Sequence, residues 1–173
     1  MDPIDQLAKL FEKFPGIGPR QAQRFVQYLL RSSPSLRREF VESVQELGGS
    51  VLQCKSCMRY FGSSRGVKAD TCGICINPQR NDTQLSIVAA DADLHAIERS
   101  GTYNGRYFVL GGTISLASEQ MTGLRVKELM HRIKSADGLD EVILAFPANP
   151  EGDATAVRLR EELLAEYPAL SIT

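Results

Sequence analysis

The four cysteines of this chain form two C-x-x-C pairs, Cys54 with Cys57 and Cys72 with Cys75. A C-x-x-C turn can direct two thiolates at one metal ion, and four thiolates complete the tetrahedral shell of a structural Zn²⁺ site. Disulfides or a redox-active C-x-x-C are the alternatives, but no signal peptide is visible and cytosolic thiols stay reduced. We therefore predict one structural zinc ion, with no ligand position left for a catalytic water.

A second candidate site is the Pro-Gly-Ile-Gly-Pro turn at residues 15–19, which separates two short amphipathic segments. This arrangement is typical of a helix–hairpin–helix, in which Gly16 and Gly18 allow a tight turn. The backbone N–H groups of such a turn and of the next helix can bind a phosphate. Three basic side chains flank the turn: Lys13, Arg20 and Arg24. We predict salt-sensitive, sequence-independent DNA contacts here; an ordinary helical corner with solvated charges is the alternative.

A third candidate is the pair of carboxylates Glu151 and Asp153, which follow a predicted strand. Ligands of α/β sheets gather at such strand ends, and two carboxylates can hold a water-rich Mg²⁺ ion. An enzyme acting on phosphodiesters also needs a carboxylate after the first strand, where Ala89 and Ala90 stand instead. The two acidic residues fit the N-terminus of a helix equally well, so a weak Mg²⁺ site stays one of two interpretations.

The elements that position these residues fall into three predicted domains, at residues 1–51, 52–78 and 79–173. The first is helical, with three helices that are interrupted at the 15–19 turn and at Ser33-Pro34 and closed at Gly48-Gly49. The second is a small cysteine lobe with a flexible or hairpin loop at residues 60–68. The third alternates strands and helices, which predicts a parallel sheet covered on both faces. The fold class is therefore mixed α and β.

The sequence also predicts where individual helices begin and which side chains they bury. Asp2 is predicted to cap the first helix and Asp91 the helix that follows the first strand of the sheet. The second helix is expected to begin at Pro19 or Arg20. Its side chains predicted to point inward are Ala22, Phe25 and Leu29, and the last helix is predicted over residues 154–167.

The charge distribution, the apolar runs and the missing motifs limit the classes of function that this chain can have. The net charge of −1 combines 12 Lys/Arg against 7 Asp/Glu in residues 1–80 with 8 against 14 in the remainder, which indicates a nucleic-acid contact in the basic half. No apolar run could span a membrane and no targeting segment is visible, so a cytoplasmic protein is expected. Neither a Gly-rich phosphate loop nor a Ser–His–Asp arrangement is present, so an ATPase or a serine hydrolase is not expected.

The N-terminal helices also carry three aromatic side chains, Phe11, Phe14 and Phe25. Three aromatics are more than a helical hairpin of this size is expected to bury by itself. We therefore predict self-association through these residues.

The order of the motifs resembles that of the bacterial RecR family. The resemblance rests on the 15–19 turn, on Cys72-Gly-Ile-Cys75-Ile-Asn-Pro, on Gly105-Arg-Tyr-Phe-Val-Leu-Gly-Gly and on Glu151-Gly-Asp-Ala-Thr-Ala. It implies that the α/β domain is a Toprim domain. It also implies a non-enzymatic, clamp-like DNA-repair protein that binds single- and double-stranded DNA. Such a protein helps to load recombinase together with RecO-like and RecF-like partners.

The chain departs from the family pattern at several places. The family usually has Glu where Ala89 stands, the insert between the cysteine pairs is longer, and residues 115–121 lack a Pro- and Gly-rich loop. The family's segment after the Toprim sheet is not found, which predicts a dimer instead of a closed tetrameric ring. The alternative functions are a Mg²⁺-dependent Toprim enzyme acting on DNA phosphodiesters and a zinc-ribbon interaction module without a DNA role.

Overall fold

The computed structural model describes residues 2–62, 70–116, 121 and 123–173, and the chain forms two compact units, Met1–Ser50 and Val51–Thr173. The predicted mixed α and β class is confirmed. The first unit contains α1 (Pro3–Phe11), α2 (Pro19–Arg31) and α3 (Pro34–Ser50). The second contains β1 (Val51–Gln53), β2 (Tyr60–Gly62), α4 (Gly73–Ile76), β3 (Asn81–Val88), α5 (Asp91–Ser100), β4 (Gly105–Val109), α6 (Val126–Lys134), β5 (Glu141–Ala145), α7 (Pro150–Glu166) and β6 (Ser171–Ile172). The three-domain division at residues 51 and 78 stays a prediction.

In the first unit, α1 and α2 pack through small side chains. The helix α1 begins as predicted, since Asp2 Oδ1 accepts a hydrogen bond of 3.2 Å from the backbone N–H of Ile4. The buried residues between the two helices are Ala8, Ala22 and Val26. The prediction that Phe25 points inward is wrong, because Val26 takes the buried position and 41% of Phe25 is exposed. The small alanines let the helix backbones approach closely, which leaves the larger rings outside.

The third helix of this unit is poorly covered. No residue of α3 is buried, although its apolar residues Leu36, Phe40, Val41, Val44 and Leu47 have the spacing of one helical face. The predicted stop at Gly48-Gly49 is wrong, since α3 continues to Ser50. Neither glycine adopts the left-handed conformation that a glycine C-cap requires.

The second unit is built around a four-stranded parallel sheet in the order β4-β3-β5-β6. Side chains of alternate strand residues point to opposite faces. Leu85, Ile87 and Phe108 belong to the larger core, which also contains Leu129 and Ile133 of α6 and Leu159 and Leu163 of α7. Val88, Tyr107 and Val109 form a smaller core with Leu94 of α5. The sheet is therefore covered on both faces, as predicted.

Two helix starts differ from the sequence-based expectation. The helix α7 begins at Pro150, because the side chain of Asn149 accepts a hydrogen bond of 2.8 Å from the Gly152 N–H. The predicted cap by Asp91 is also wrong, since Ala90 is the N-cap residue and its N–H donates to Asp93 Oδ2 at 2.9 Å. The Asp91 carboxylate instead accepts a hydrogen bond from the Tyr60 N–H of β2.

Residues 63–69, which include most of the predicted loop between the cysteine pairs, lie outside the described residues. Across the part of the chain that the structure describes, no helix is long and apolar enough to cross a membrane.

Candidate metal centre and DNA-contact surfaces

The structure brings the four cysteine sulfurs together, within 4.8 Å of one another. Cys54, Cys57 and Cys72 are buried and Cys75 is half-buried. The sulfurs of Cys57 and Cys72 are 3.6 Å apart. A tetrahedral zinc ion with Zn–S bonds of about 2.3 Å would separate its sulfurs by about 3.8 Å. The cysteine cluster therefore has the dimensions of a tetrathiolate metal site.

Backbone hydrogen bonds hold each cysteine pair in a tight turn. In the first pair, the Met58 N–H donates to Cys54 O at 2.9 Å, and Met58 takes the left-handed conformation with φ of 61°. In the second pair, the Cys75 N–H donates to Cys72 O at 3.0 Å. The Cys72 N–H also donates to Cys54 Sγ at 3.3 Å, which links the two turns. Such N–H donors stabilise sulfur in its anionic, metal-binding form.

The close packing of the cysteine thiols couples their ionisation. Hydrogen bonding with Cys54, reinforced by burial, raises the pKa of the Cys57 thiol, and the same contact lowers the pKa of Cys54. Metal binding requires deprotonated thiolates, so zinc would release the remaining protons. Soft thiolate ligands in a tetrahedral set are typical of zinc. When bound, zinc would crosslink the two turns and leave no position for substrate.

Arg106, on β4, connects the metal site to the sheet. Its side chain is buried, with 7% of the residue exposed. Arg106 Nη1 donates to the carbonyl oxygens of Ile74 at 2.7 Å and Cys75 at 3.0 Å, and Nε donates to Asp82 Oδ1 at 2.6 Å. The hydrogen bond from Arg106 also lowers the pKa of the Asp82 carboxyl. One guanidinium thus holds the second cysteine turn against the sheet.

Two further contacts join the cysteine lobe to β4, the edge strand of the sheet. The Val109 N–H donates to Cys57 O at 2.8 Å, which satisfies a group that an edge strand otherwise leaves free. Arg125 Nη1 donates to the Val109 carbonyl at 3.0 Å and to the Met58 carbonyl of the lobe at 3.4 Å, so this side chain bridges the two. The cysteine lobe therefore covers this edge of the sheet, and its folding is coupled to that of the α/β core.

The predicted DNA-contact residues lie together at the start of α2 and just before it. Gly16 has φ of +76°, a conformation that favours glycine. Gly18 is the N-cap residue of α2 and provides no side-chain cap for the first N–H groups of the helix. The three predicted basic contacts, Lys13, Arg20 and Arg24, are all exposed. The turn therefore combines a helix N-terminus that has no side-chain cap with three exposed cations, which are features that phosphate sites use.

The predicted Mg²⁺ residues occupy the first turn of α7 instead of a loop before a helix. Glu151 and Asp153 are exposed, while Gly152 between them is buried, and a Cβ there would lie 2.0 Å from Pro147 O. Ala89 follows β3, which pairs in parallel with β5. Among the described residues, the cysteine set is the one group of three or more His, Cys, Asp or Glu ligand atoms close enough to share an ion.

An apolar groove lies within the first unit. Its volume is about 660 Å³, and the side chains of α1, α2 and α3 line it, including Phe11, Phe14, Phe25, Tyr28 and Phe40. The rings of Phe11 and Phe25 lie 5.5 Å apart between centroids, and those of Phe11 and Phe14 6.1 Å apart. Because Phe14 is 58% exposed, the aromatic set predicted to mediate self-association is accessible to a partner.

Comparison with known proteins places this architecture in a family. The Toprim domain family matches residues 83–172. A protein named recombination protein RecR from Prochlorococcus marinus (strain MIT 9215) is 38% identical over 166 residues, which cover 95% of this chain and 79% of the relative. The RecR protein of Chloroflexus aurantiacus is 37% identical over 162 residues, 93% of this chain and 76% of the relative. The chain belongs to the RecR family.

Within this RecR-family chain, sequence reasoning missed Arg106 as a support of the cysteine site. One signal was available, because Arg106 stands in an otherwise apolar strand segment of a parallel sheet, and such strands are buried on both faces. A buried arginine needs acceptors. The acceptors of Arg106 are backbone carbonyls 31 and 32 residues away in the chain. Local spacing in the sequence does not reveal contacts over that distance.

Proposed function

We propose that the chain is a non-enzymatic, DNA-binding recombination mediator of DNA repair in the cytoplasm. Membership of a family whose proteins are named recombination proteins carries the proposal. The exposed, basic helix–hairpin–helix turn supports a contact with the phosphate backbone of single- or double-stranded DNA, without sequence preference. A structural zinc ion rigidifies the cysteine lobe, and the Toprim domain carries contacts to RecO-like and RecF-like partners that assist recombinase loading.

The proposed DNA contact is weak in one subunit. Three side chains and a few backbone N–H groups neutralise only a few phosphates, and binding of this kind is strongly weakened by salt. Linking several such sites in one assembly raises the overall affinity without new contacts. Self-association through the apolar groove therefore belongs to the proposed mechanism, in which subunits surround DNA as a clamp.

The DNA contact can be tested with the triple variant Lys13→Ala/Arg20→Ala/Arg24→Ala. We expect weaker DNA binding at low salt and a reduction of about 2–3 in the slope of log affinity against log salt, since each lost phosphate contact removes about 0.9. Fluorescence anisotropy with single- and double-stranded DNA across a salt series measures both quantities.

A matched control is Arg99→Ala/Arg158→Ala/Arg160→Ala, which removes three exposed arginines from the other unit. This control should bind DNA with the affinity and slope of the parent. Unchanged binding by the Lys13, Arg20 and Arg24 variant would show that the turn is not the contact surface.

Self-association can be tested with Phe14→Asp, which places a charge in the apolar groove without disturbing the buried Ala8, Ala22 and Val26 core. We expect the parent chain to be a dimer and the variant a monomer, because burying an unpaired carboxylate in an apolar interface is unfavourable. Light scattering over a range of concentrations measures both masses.

The control Val157→Asp makes the same type of exchange at an exposed position of α7 and should leave the dimer intact. A parent that stays monomeric at all concentrations contradicts the proposed clamp. A stable parent tetramer would show that a further subunit contact operates besides the groove.

A further inference from the structure

A cavity of about 540 Å³ lies between the cysteine lobe and one face of α6; we call it the α6 cavity. The cysteine lobe contributes Lys55, Ser56 and Thr71, and α6 contributes Lys127, His131 and Arg132. Lys127 and His131 are four residues apart, as are Glu128 and Arg132, so both pairs are neighbours on one side of the helix. The opposite face of α6 contributes Leu129 and Ile133 to the core, so the face toward the cavity is held in place.

The lining of the α6 cavity contains more Lys and Arg side chains than carboxylates. Glu128 lies in its lining, and Asp70 pairs with Lys55 at 2.6 Å. That ion pair is well exposed, with 73% and 67% of the two side chains accessible, so it contributes little stability and Lys55 can exchange Asp70 for another anion. The positive charge of Arg132 helps to lower the pKa of the Asp82 carboxyl, but the hydrogen-bonding partner of Asp82 is Arg106. Among the described residues, no ion pair engages Lys127 or Arg132.

Arg132 adds a second, independent observation. Its Nε atom is buried and has no hydrogen-bond partner among the described residues. A buried donor without an acceptor is unfavourable, and Arg132 is one of the residues that line the cavity. An anion in the cavity would place negative charge beside this cation, which has no ion pair among the described residues.

We propose that the α6 cavity binds phosphate groups of a nucleic-acid backbone, which gives the unit Val51–Thr173 a DNA contact of its own. Cations combined with hydroxyl donors are the groups that contact backbone phosphates, and they read no base sequence. Lys55 and Lys127 are exposed, so a long polymer can reach the site from solvent. This inference shares its ligand with the proposed function but uses different residues in a different unit.

The test uses the full chain with Lys55→Glu/Lys127→Glu, which reverses two exposed charges and leaves the core and the cysteines unchanged. We expect DNA affinity at 50 mM salt to fall about tenfold per lysine and the salt slope to fall by about 1 per lysine. Arg99→Glu/Lys134→Glu also reverses two exposed charges of this unit, both outside the cavity lining; it is the matched control and should match the parent. Zinc content and melting temperature should equal those of the parent.

Two comparisons separate this site from the helix–hairpin–helix. If the Lys55/Lys127 variant binds DNA like the parent while the Lys13/Arg20/Arg24 variant does not, the α6 proposal is wrong and the proposed function stands. The reverse pattern supports the α6 site and removes the helix–hairpin–helix contact. An equal loss with Arg99→Glu/Lys134→Glu would show a general charge effect and would overturn the assignment to this cavity.

A second experiment distinguishes binding of DNA phosphates from binding of a free anion. Inorganic phosphate is titrated against the parent and the variant at constant ionic strength and followed by NMR shifts of the α6 amides. Shifts in the parent alone, together with its stronger DNA binding, support the proposal. Phosphate binding without any change in DNA affinity would define a free-anion site and overturn the assignment to DNA. If the Lys55/Lys127 variant binds an acidic protein more weakly but binds DNA like the parent, the assignment to DNA is overturned as well.

Discussion

Cys57→Ser should unfold the cysteine lobe and abolish binding of one zinc ion per chain. Cys57 is fully buried and its sulfur lies 3.6 Å from that of Cys72, so a hydroxyl here removes a ligand from the centre of the site. The free energy of binding a structural zinc ion is about 10–16 kcal/mol in zinc-finger peptides, and it is available to folding. Zinc content by a chromogenic chelator and unfolding by circular dichroism measure the result.

The effect should extend beyond the lobe, because Cys57 O accepts the hydrogen bond from Val109 on the edge strand β4. Strong chelation of the parent protein should have the same consequence. Ser56→Ala is the matched control, since it changes a neighbouring hydroxyl that is not a predicted ligand. Full retention of the melting temperature after chelation would contradict a structural role for the metal.

Arg106→Ala should weaken zinc binding by about 10–100-fold, the usual loss when a residue that supports metal ligands is removed. It should also destabilise the fold by about 2–4 kcal/mol, because the Ile74 and Cys75 carbonyls lose a charged donor in a buried setting. Most of that loss comes from the carbonyls, since the Asp82 side chain is 67% exposed and its ion pair contributes less. Competition with a zinc chelator and denaturant unfolding measure the two quantities.

Arg106→Lys separates charge from geometry. A lysine retains the positive charge near the second cysteine turn but cannot donate simultaneously to two carbonyls and Asp82 from a planar fork. Partial recovery of zinc affinity is therefore expected. The control Arg158→Ala removes an exposed arginine paired with Glu162 and should cost less than about 1 kcal/mol. Equal losses from Arg106→Ala and Arg158→Ala would show that the contact to the cysteine turn has no special role.

The sequence predicted the elements whose signals are local. The alternation of strands and helices after residue 79 indicated a parallel sheet, and the sheet has four parallel strands. Asp2 before Pro3 predicted the start of α1 correctly, because N-capping depends on residues within one turn. The cysteine spacing predicted a cluster, since each C-x-x-C pair already lies within a single turn.

Local reasoning failed where a distant residue competes for the same group. Asp91 was expected to cap α5, but its carboxylate accepts the Tyr60 N–H from a strand 31 residues earlier. Phe25 was expected inside the N-terminal unit, but the close approach of α1 and α2 through Ala8 and Ala22 left room for Val26 instead. In both cases a tertiary contact outweighed the local preference.

By itself, the sequence determined the chemistry that this RecR-family chain carries: four thiolates in two turns, a glycine-containing basic turn, and an acidic pair beside an alanine-containing strand end. These features follow from residue type and from spacings of a few residues, and such spacings are the same in any compact fold. The tertiary structure alone decided that Arg106 supports the cysteine turn, that three helices leave an apolar groove, and that Lys55 and Lys127 face one cavity. Those arrangements join residues far apart in the chain, and long-range packing, not local geometry, selects them.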